Sequence, residues 1–244
     1  MKIVVTSDAH TDWETSGAVR FGDVSDAMFR SVEVVREERA DVYAFTGDLC
    51  NPDDAGDVLR AAELVLAVDR ELAKLGVFRI WMPGNHDVFE DGSGRTTLSW
   101  MRSLDDEDSI LVAERPCVHK YLNVRFACFP FTVTSHPYDP VEHARRVASS
   151  TPADARTIVL GHLSIPGIQP GEEVKELARG RDVVLPLEEI AKIPGQVTVV
   201  NGHYHRAQTF EDKATGVLVH VPGSLVRLTH GEEEHKPSIL VLEV

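Results

Sequence analysis

The sequence predicts an α/β protein built around two packed β-sheets. In the first half, apolar β-branched strands alternate with amphipathic helices in a βαβαβ order, which implies a parallel sheet covered by helices. The second half is richer in short strands, and a two-sheet sandwich accommodates them better than one open sheet. A third pattern sits at the strand ends: five times an apolar strand stops and Asp, Asn or His follows at once.

Lys2–Thr6 is a short run rich in Ile and Val. A helix is expected from about Val24 to Arg39, with Asp23 as its N-cap. Val42–Thr46 reads as a strand. Ala55–Leu75 has apolar residues three and four apart and Gly76 just past its end, the pattern of a capped helix. Phe78–Met82 is the next strand. Val118–Tyr121 and Arg125–Phe129 form a hairpin across Leu122–Val124. Val141–Ala148 and Leu187–Lys192 are expected as helices. Thr157–Leu160, Val197–Val200, Ala207–Glu211, Val217–Val221 and Ile239–Glu243 are expected as strands. No repeat and no Pro/Gly/Ser-rich linker divides the chain, so residues 1–244 are expected to form one domain without a cap.

The formal net charge is −14, from 39 acidic and 25 basic residues. This argues against a broad basic surface for nucleic acid. It leaves room for a phosphate substrate, because bound dications reverse the sign of charge locally. No apolar run reaches the roughly 18 residues of a membrane span, and the opening MKIVVTSDAH is too short for a signal peptide. A reducing cytoplasm is the expected setting. Cys50, Cys117 and Cys128 have no C-x-x-C spacing, so neither a zinc knuckle nor a redox pair is expected.

The five strand ends are IVVTSDAH, YAFTGD, IWMPGNHD, IVLGH and VTVVNGHYH. In α/β folds ligands gather beyond the carboxyl ends of strands, so these ends are expected to converge. Asp8 and His10 are two apart, as are His203 and His205, and residues i and i+2 of an extended segment share a side. Gly47 lets the chain turn sharply, so that Asp48 faces inward. The carboxylate of Asp48 can bridge two ions. Asp8, His10, Asp48 and His205 then hold the first, and Asp48, Asn85, His162 and His203 the second. Mixed N and O donors suit Mn, Fe or Zn better than an all-oxygen Mg or Ca site, with Mn first. Two ions roughly 3.5–4 Å apart clamp a phosphate and generate a hydroxide nucleophile near neutral pH. His86 is the expected transition-state stabiliser or proton donor to the leaving oxygen. Asp87 is expected to orient an imidazole from behind. His119, His136, His143, His220, His230 and His235 lack the strand-end context and are read as surface or core residues. The run Glu232–Glu234 is read as a solvated turn.

These motifs resemble the calcineurin-like metallophosphoesterase superfamily over essentially the whole chain. The resemblance implies a two-sheet sandwich flanked by helices, in four layers α/β/β/α, with the ligand roles just given and His86 as the catalytic histidine. A narrower resemblance joins Arg20-Phe21-Gly22-Asp23, the stretch ERADVYAFTGDL and the terminal VPGSLVRLTHGEEEHKPSILVLEV to SbcD-type DNA repair exonucleases. Those proteins normally carry a DNA-recognition cap and a segment that docks an ATPase partner, whereas this chain stops at the nuclease core. They are often dimers, but no dimer seam is readable here, and an ATPase partner is left open.

The leading expectation is therefore a phosphodiesterase or nuclease, with a nucleic acid or nucleotide as substrate. Arg20 is expected on a phosphate and Trp13 stacked on a base, with Arg95 in a loop near the site. The alternative is a phosphomonoesterase acting on a small metabolite or phosphoprotein. A third reading is an inactive metal-binding scaffold that docks a partner.

Overall fold

A computed structural model describes residues 1–132, 138–168, 183–232 and 236–244. The first sheet contains β1 (Lys2–Thr6), β4 (Val42–Thr46), β5 (Phe78–Met82), β6 (Ile110–Val112) and β13 (Leu240–Glu243), in the order β13-β1-β4-β5-β6. Only β13 runs antiparallel to its neighbour. The second sheet contains β7 (Cys117–Tyr121), β8 (Val124–Phe129), β9 (Arg156–Gly161), β10 (Gln196–Asn201), β11 (Gln208–Glu211) and β12 (Leu218–Val221), in the order β11-β12-β10-β9-β8-β7. Its four central strands are parallel, and β7 and β11 close its edges antiparallel. A small hairpin of β2 (Glu14–Thr15) and β3 (Ala18–Val19) lies apart from both.

Strand alternation sorts the core into three apolar layers. Ile3, Val5, Val42, Ala44, Phe78 and Ile80 point toward the second sheet, where they meet Phe126, Ile158 and Val200. The intervening Val4, Tyr43, Phe45 and Trp81 point the other way. They pack under α1 (Phe21–Glu38) and α2 (Ala55–Lys74), which contribute Met28, Val32, Val35, Val65, Val68 and Leu72. Being buried on both faces, these strands are unbroken hydrophobic runs rather than alternating ones. On the far side α3 (Pro140–Ser150) and α4 (Leu187–Ile190) cover the second sheet through Ala144, Val147, Leu187 and Ile190. The layers are thus α/β/β/α, as expected.

Several details differ from the sequence reading. α1 begins at Phe21, and its N-cap position is Arg20, with no side-chain cap. Asp23 lies instead in the first turn, where its charge complements the helix dipole, and it pairs with Arg20 at 2.6 Å. The short strands β2, β3 and β6 carry too few residues to show a period. The hairpin connection is two residues, with Tyr121 opposite Val124. His136, His235 and most of the acidic run, Glu233 and Glu234, lie outside the described residues. Among the described residues no helix is long and apolar enough to cross a membrane.

Candidate metal centre

The carboxyl ends of β1, β4 and β5 present Asp8 and His10, Asp48, and Asn85 and His86. Those of β9 and β10 present His162, and His203 and His205. Backbone bonds fasten the first two ends together. Asp8 N–H donates to the Gly47 carbonyl at 2.9 Å, and the N–H groups of Ala9 and His10 share the Asp48 carbonyl at 2.8 and 3.1 Å. Four of these residues pay for their position in backbone strain: Asp8 (φ 53°), His10 (φ 46°), Asp48 (φ 60°) and His203 (φ 78°) all lie in the left-handed region. That region costs a non-glycine residue about 1–2 kcal/mol, and such strain concentrates at functional sites. The crowding is equally tight. A Cβ on Gly47 would stand 2.3 Å from His162 Nδ1, and one on Gly84 would stand 2.2 Å from Asp48 Oδ1. Only glycine admits the imidazole and carboxylate so close to the chain.

Two clusters and a bridging group result: Asp8, His10 and His205 form one cluster, Asp48, His162 and His203 the second, and His10, Asp48 and His86 lie between them. In the first, His10 Nε2 and His205 Nε2 face each other at 3.0 Å. In the second, Asp48 Oδ2 lies 3.1 Å from His162 Nε2. There Asn85 Oδ1 lies 3.1 Å from the same nitrogen and 2.9 Å from His203 Nδ1. Asp48 lies between the clusters, with Oδ2 also 3.7 Å from His10 Nε2.

The donor set fits two divalent ions. Both carboxylate oxygens of Asp8 are buried without a hydrogen-bond partner among the described residues; the neighbouring Ser7 hydroxyl turns instead to the Thr46 carbonyl at 3.3 Å. A fully buried carboxylate with no donor is costly unless a cation meets it. Burial, with Asp48 nearby, pushes the Asp8 carboxyl up despite His162. Burial also drives His10 well down and His203 down to about 3, so both rings are neutral, as ligation requires. Burial opposes charge on Asp48 and His162 as well. There the mutual attraction wins, holding Asp48 well below the usual carboxylate range and raising His162 to about 9.

The ligands are oriented from behind. His162 Nδ1 donates to the Thr46 carbonyl at 2.6 Å, which turns Nε2 toward Asp48, where a bound cation would take the place of its proton. His205 Nδ1 donates to Glu232 Oε1 at 3.0 Å. The sequence reading placed Glu232 in a solvated turn; it is buried, and its second oxygen accepts the Leu228 N–H at 2.7 Å. Asn51 was also missed. Its Oδ1 holds His86 Nδ1 at 2.8 Å while its amide donates to Asp12 Oδ2 at 2.7 Å.

One expected role is corrected, and two other expected residues have partners within the fold. Asp87 orients no imidazole. Its oxygens accept the N–H groups of Asp48 (2.9 Å), Gly84 (2.8 Å), Leu49 (3.0 Å) and Cys50 (3.3 Å), and the Thr97 hydroxyl (2.5 Å). It therefore locks the second motif loop to the third. Arg20 is engaged by Asp23, the Thr15 hydroxyl and the Arg227 carbonyl. Trp13 packs against the helix-side core and sets its ring edge to His10 at 5.6 Å.

Converging strand ends of a four-layer sandwich, bearing two carboxylate–histidine clusters joined through one aspartate, define a dinuclear metallohydrolase. The chain belongs to the calcineurin-like phosphoesterase family, whose model matches residues 1–207. It is a metal-dependent hydrolase of phosphate esters, and the family implies two divalent ions for the donors described. Solved structures share the fold at low identity. A dimetal phosphatase from Danio rerio is 12% identical with TM-score 0.65, over 99% of this chain and 91% of its own. A protein of Thermus thermophilus is 14% identical with TM-score 0.53, over 92% and 89%. The phosphopantetheinyl hydrolase of Mycobacterium tuberculosis is 15% identical with TM-score 0.51, over 97% and 93%. A search of curated protein sequences gives no significant match.

Proposed function

We propose that this chain is a phosphodiesterase acting on small organic diesters of nucleotide size, rather than a nuclease of duplex DNA. One observation carries the size: a cavity of about 330 Å³ lined by residues that include Val88, Arg95, Arg102, Arg115, Phe131 and Tyr138. Two of its wall residues follow closely in sequence on His86 and on the end of β8. Val88 lies two residues past His86, and Phe131 lies two past Phe129, whose carbonyl accepts the His162 N–H at 3.2 Å. Its volume is that of a small-molecule site; on its wall Arg95 pairs with Asp91 and Arg102 with Glu114, so Arg115, beside the aromatics, is the arginine proposed to meet an anionic group. The net charge of −14 weighs against a polymer duplex.

Asp8, His10, Asp48 and His205 would hold one ion, and Asp48, Asn85, His162 and His203 the other. Manganese is the first choice, and iron and zinc suit the same donors. When bound, the two ions supply Lewis-acid activation of the phosphoryl group and of a water. The chain's own part is positioning and proton transfer. Asn51 Oδ1 fixes the His86 ring through Nδ1, so that Nε2 is the nitrogen from which the imidazolium would give a proton to the departing oxygen.

A phosphomonoesterase is the second reading, favoured by the arginines on the cavity wall, which suit a more highly charged substrate. The test is hydrolysis of bis-p-nitrophenyl phosphate beside p-nitrophenyl phosphate with added manganese. Preference for the diester supports the proposal, and preference for the monoester transfers it to the second reading. A rise in KM on Arg115→Ala, with kcat kept, ties the cavity to binding.

A further inference from the structure

The metal chemistry leaves the three cysteines unused, and no C-x-x-C spacing links them. The second sheet nevertheless brings two of them together. Cys117 on β7 lies directly opposite Cys128 on β8, and opposed residues of an antiparallel pair share one face of the sheet. Both side chains face the layer between the sheets, where Cys128 belongs to the core and Cys117 packs against it. Tyr121 and Val124 flank the two-residue turn as a hydrogen-bonded pair. Pairs then alternate along the ladder, so Cys117–Cys128 is again a hydrogen-bonded pair. Such pairs have Cα atoms about 5.5 Å apart, within the range of about 4.4–6.8 Å that a disulfide spans.

The two thiols differ in access. Cys117 is partly exposed and Cys128 is buried. The closeness of the two thiols lowers Cys117 and, with burial, raises Cys128 well above its ordinary value. An accessible, more acidic thiol beside a second cysteine is the arrangement of peroxide-reactive pairs.

We propose that Cys117 and Cys128 form an oxidation site for peroxide, with Cys117 as the attacking sulfur and Cys128 as the resolving one. The Cys117 thiolate attacks one peroxide oxygen, the O–O bond breaks, and the departing oxygen leaves as water after protonation. Cys117 is then a sulfenic acid. The Cys128 sulfur, giving up its proton, displaces the sulfenic oxygen as a second water and forms the S–S bond. Two thiols lose two electrons in all, and one peroxide becomes two waters. The product would clip the edge strand β7 to β8, one residue from the strand end whose Phe129 carbonyl holds the His162 N–H. Cys50 lies in the separate helix-side layer, fully buried, and is an internal control.

The test is titration of the metal-loaded protein with hydrogen peroxide, followed by denaturation, thiol counting and non-reducing peptide mass analysis. Titratable thiols should fall from three to one, a Cys117–Cys128 linked peptide should appear, and a reductant should restore all of them. Cys128→Ala should stop at a sulfenic acid on Cys117 that dimedone traps, and Cys117→Ser should keep both remaining thiols. Three thiols surviving in the wild type, or Cys117 passing to sulfinic acid with no linked peptide, would overturn the proposal.

Discussion

The Glu232 carboxylate accepts a hydrogen bond from His205 Nδ1 at 3.0 Å, and both residues are buried. A carboxylate behind a ligating imidazole fixes its tautomer and ring angle and raises its basicity. The other Glu232 oxygen is spent on the Leu228 N–H, so the carboxylate is itself held in place.

Glu232→Ala should therefore weaken the ion held by Asp8, His10 and His205 by about 10–100-fold. Glu232→Gln keeps an acceptor oxygen and should fall between that variant and the wild type. Competition titration against a chromophoric chelator reads this directly, and unchanged affinity in Glu232→Ala would sink the idea.

His86→Ala should lower kcat by about 10²–10⁴-fold, the usual contribution of a positioned acid or base. Metal content, read by elemental analysis, should stay at the wild-type value if His86, which shares a candidate group with His10 and Asp48, acts on the proton as proposed rather than as a ligand. Asn51→Ala removes the acceptor that sets the His86 ring and should cost less than loss of the ring itself. Full turnover in His86→Ala would refute its role.

Asp48→Asn should lose both activity and metal. Its carboxylate sits between the two histidine clusters, and its Oδ1 also accepts the His86 N–H at 2.8 Å. The substitution removes the charge that both ions would share and loosens the loop that carries His86. A variant that still binds two equivalents of manganese would contradict this.

Stability should carry the signature of a histidine that is not among the candidate metal donors. His143 on α3 is buried against Phe129, with ring centroids 4.6 Å apart, and burial, with Arg146 nearby, lowers it from 6.5 to about 4. The unfolded chain binds a proton there below pH 6.5, whereas the folded protein does not until about pH 4. Stability is therefore lost as pH falls through that window and levels off below it, by at most about 3 kcal/mol. Urea midpoints at pH 7 and pH 4.5 should separate less in His143→Gln than in the wild type.

The metal donors were legible because each follows directly from a strand's end, where sequence order and spatial order coincide. β1, β4 and β5 run over the residues the apolar pattern marks, for the same reason. Glu232 was illegible: it follows no strand, and its acidic neighbours gave it the look of a solvated turn. Asn51 lay three residues past Asp48 without a motif of its own. Asp87 was noticed for the right loop but the wrong partner, since nothing in a linear string shows that four N–H groups will surround it. The partners of Trp13 and Arg20, His10 and the Arg227 carbonyl, depend on contacts across the fold that distance along the chain does not show. The cysteine pair shows the same limit, because strand register rather than spacing makes Cys117 and Cys128 neighbours.

The first sheet supplies Asp8, His10, Asp48 and Asn85, and the second supplies His162, His203 and His205, so neither sheet can assemble the centre alone. The apolar layer between them, with Phe78, Phe126 and Ile158 at its heart, therefore acts as a spacer that calibrates the reach of one ligand set toward the other. A close-packed interior transmits a change of volume as displacement. Trimming Phe126 would thus tell on the catalytic centre as a change in bite angle, with every ligand still present.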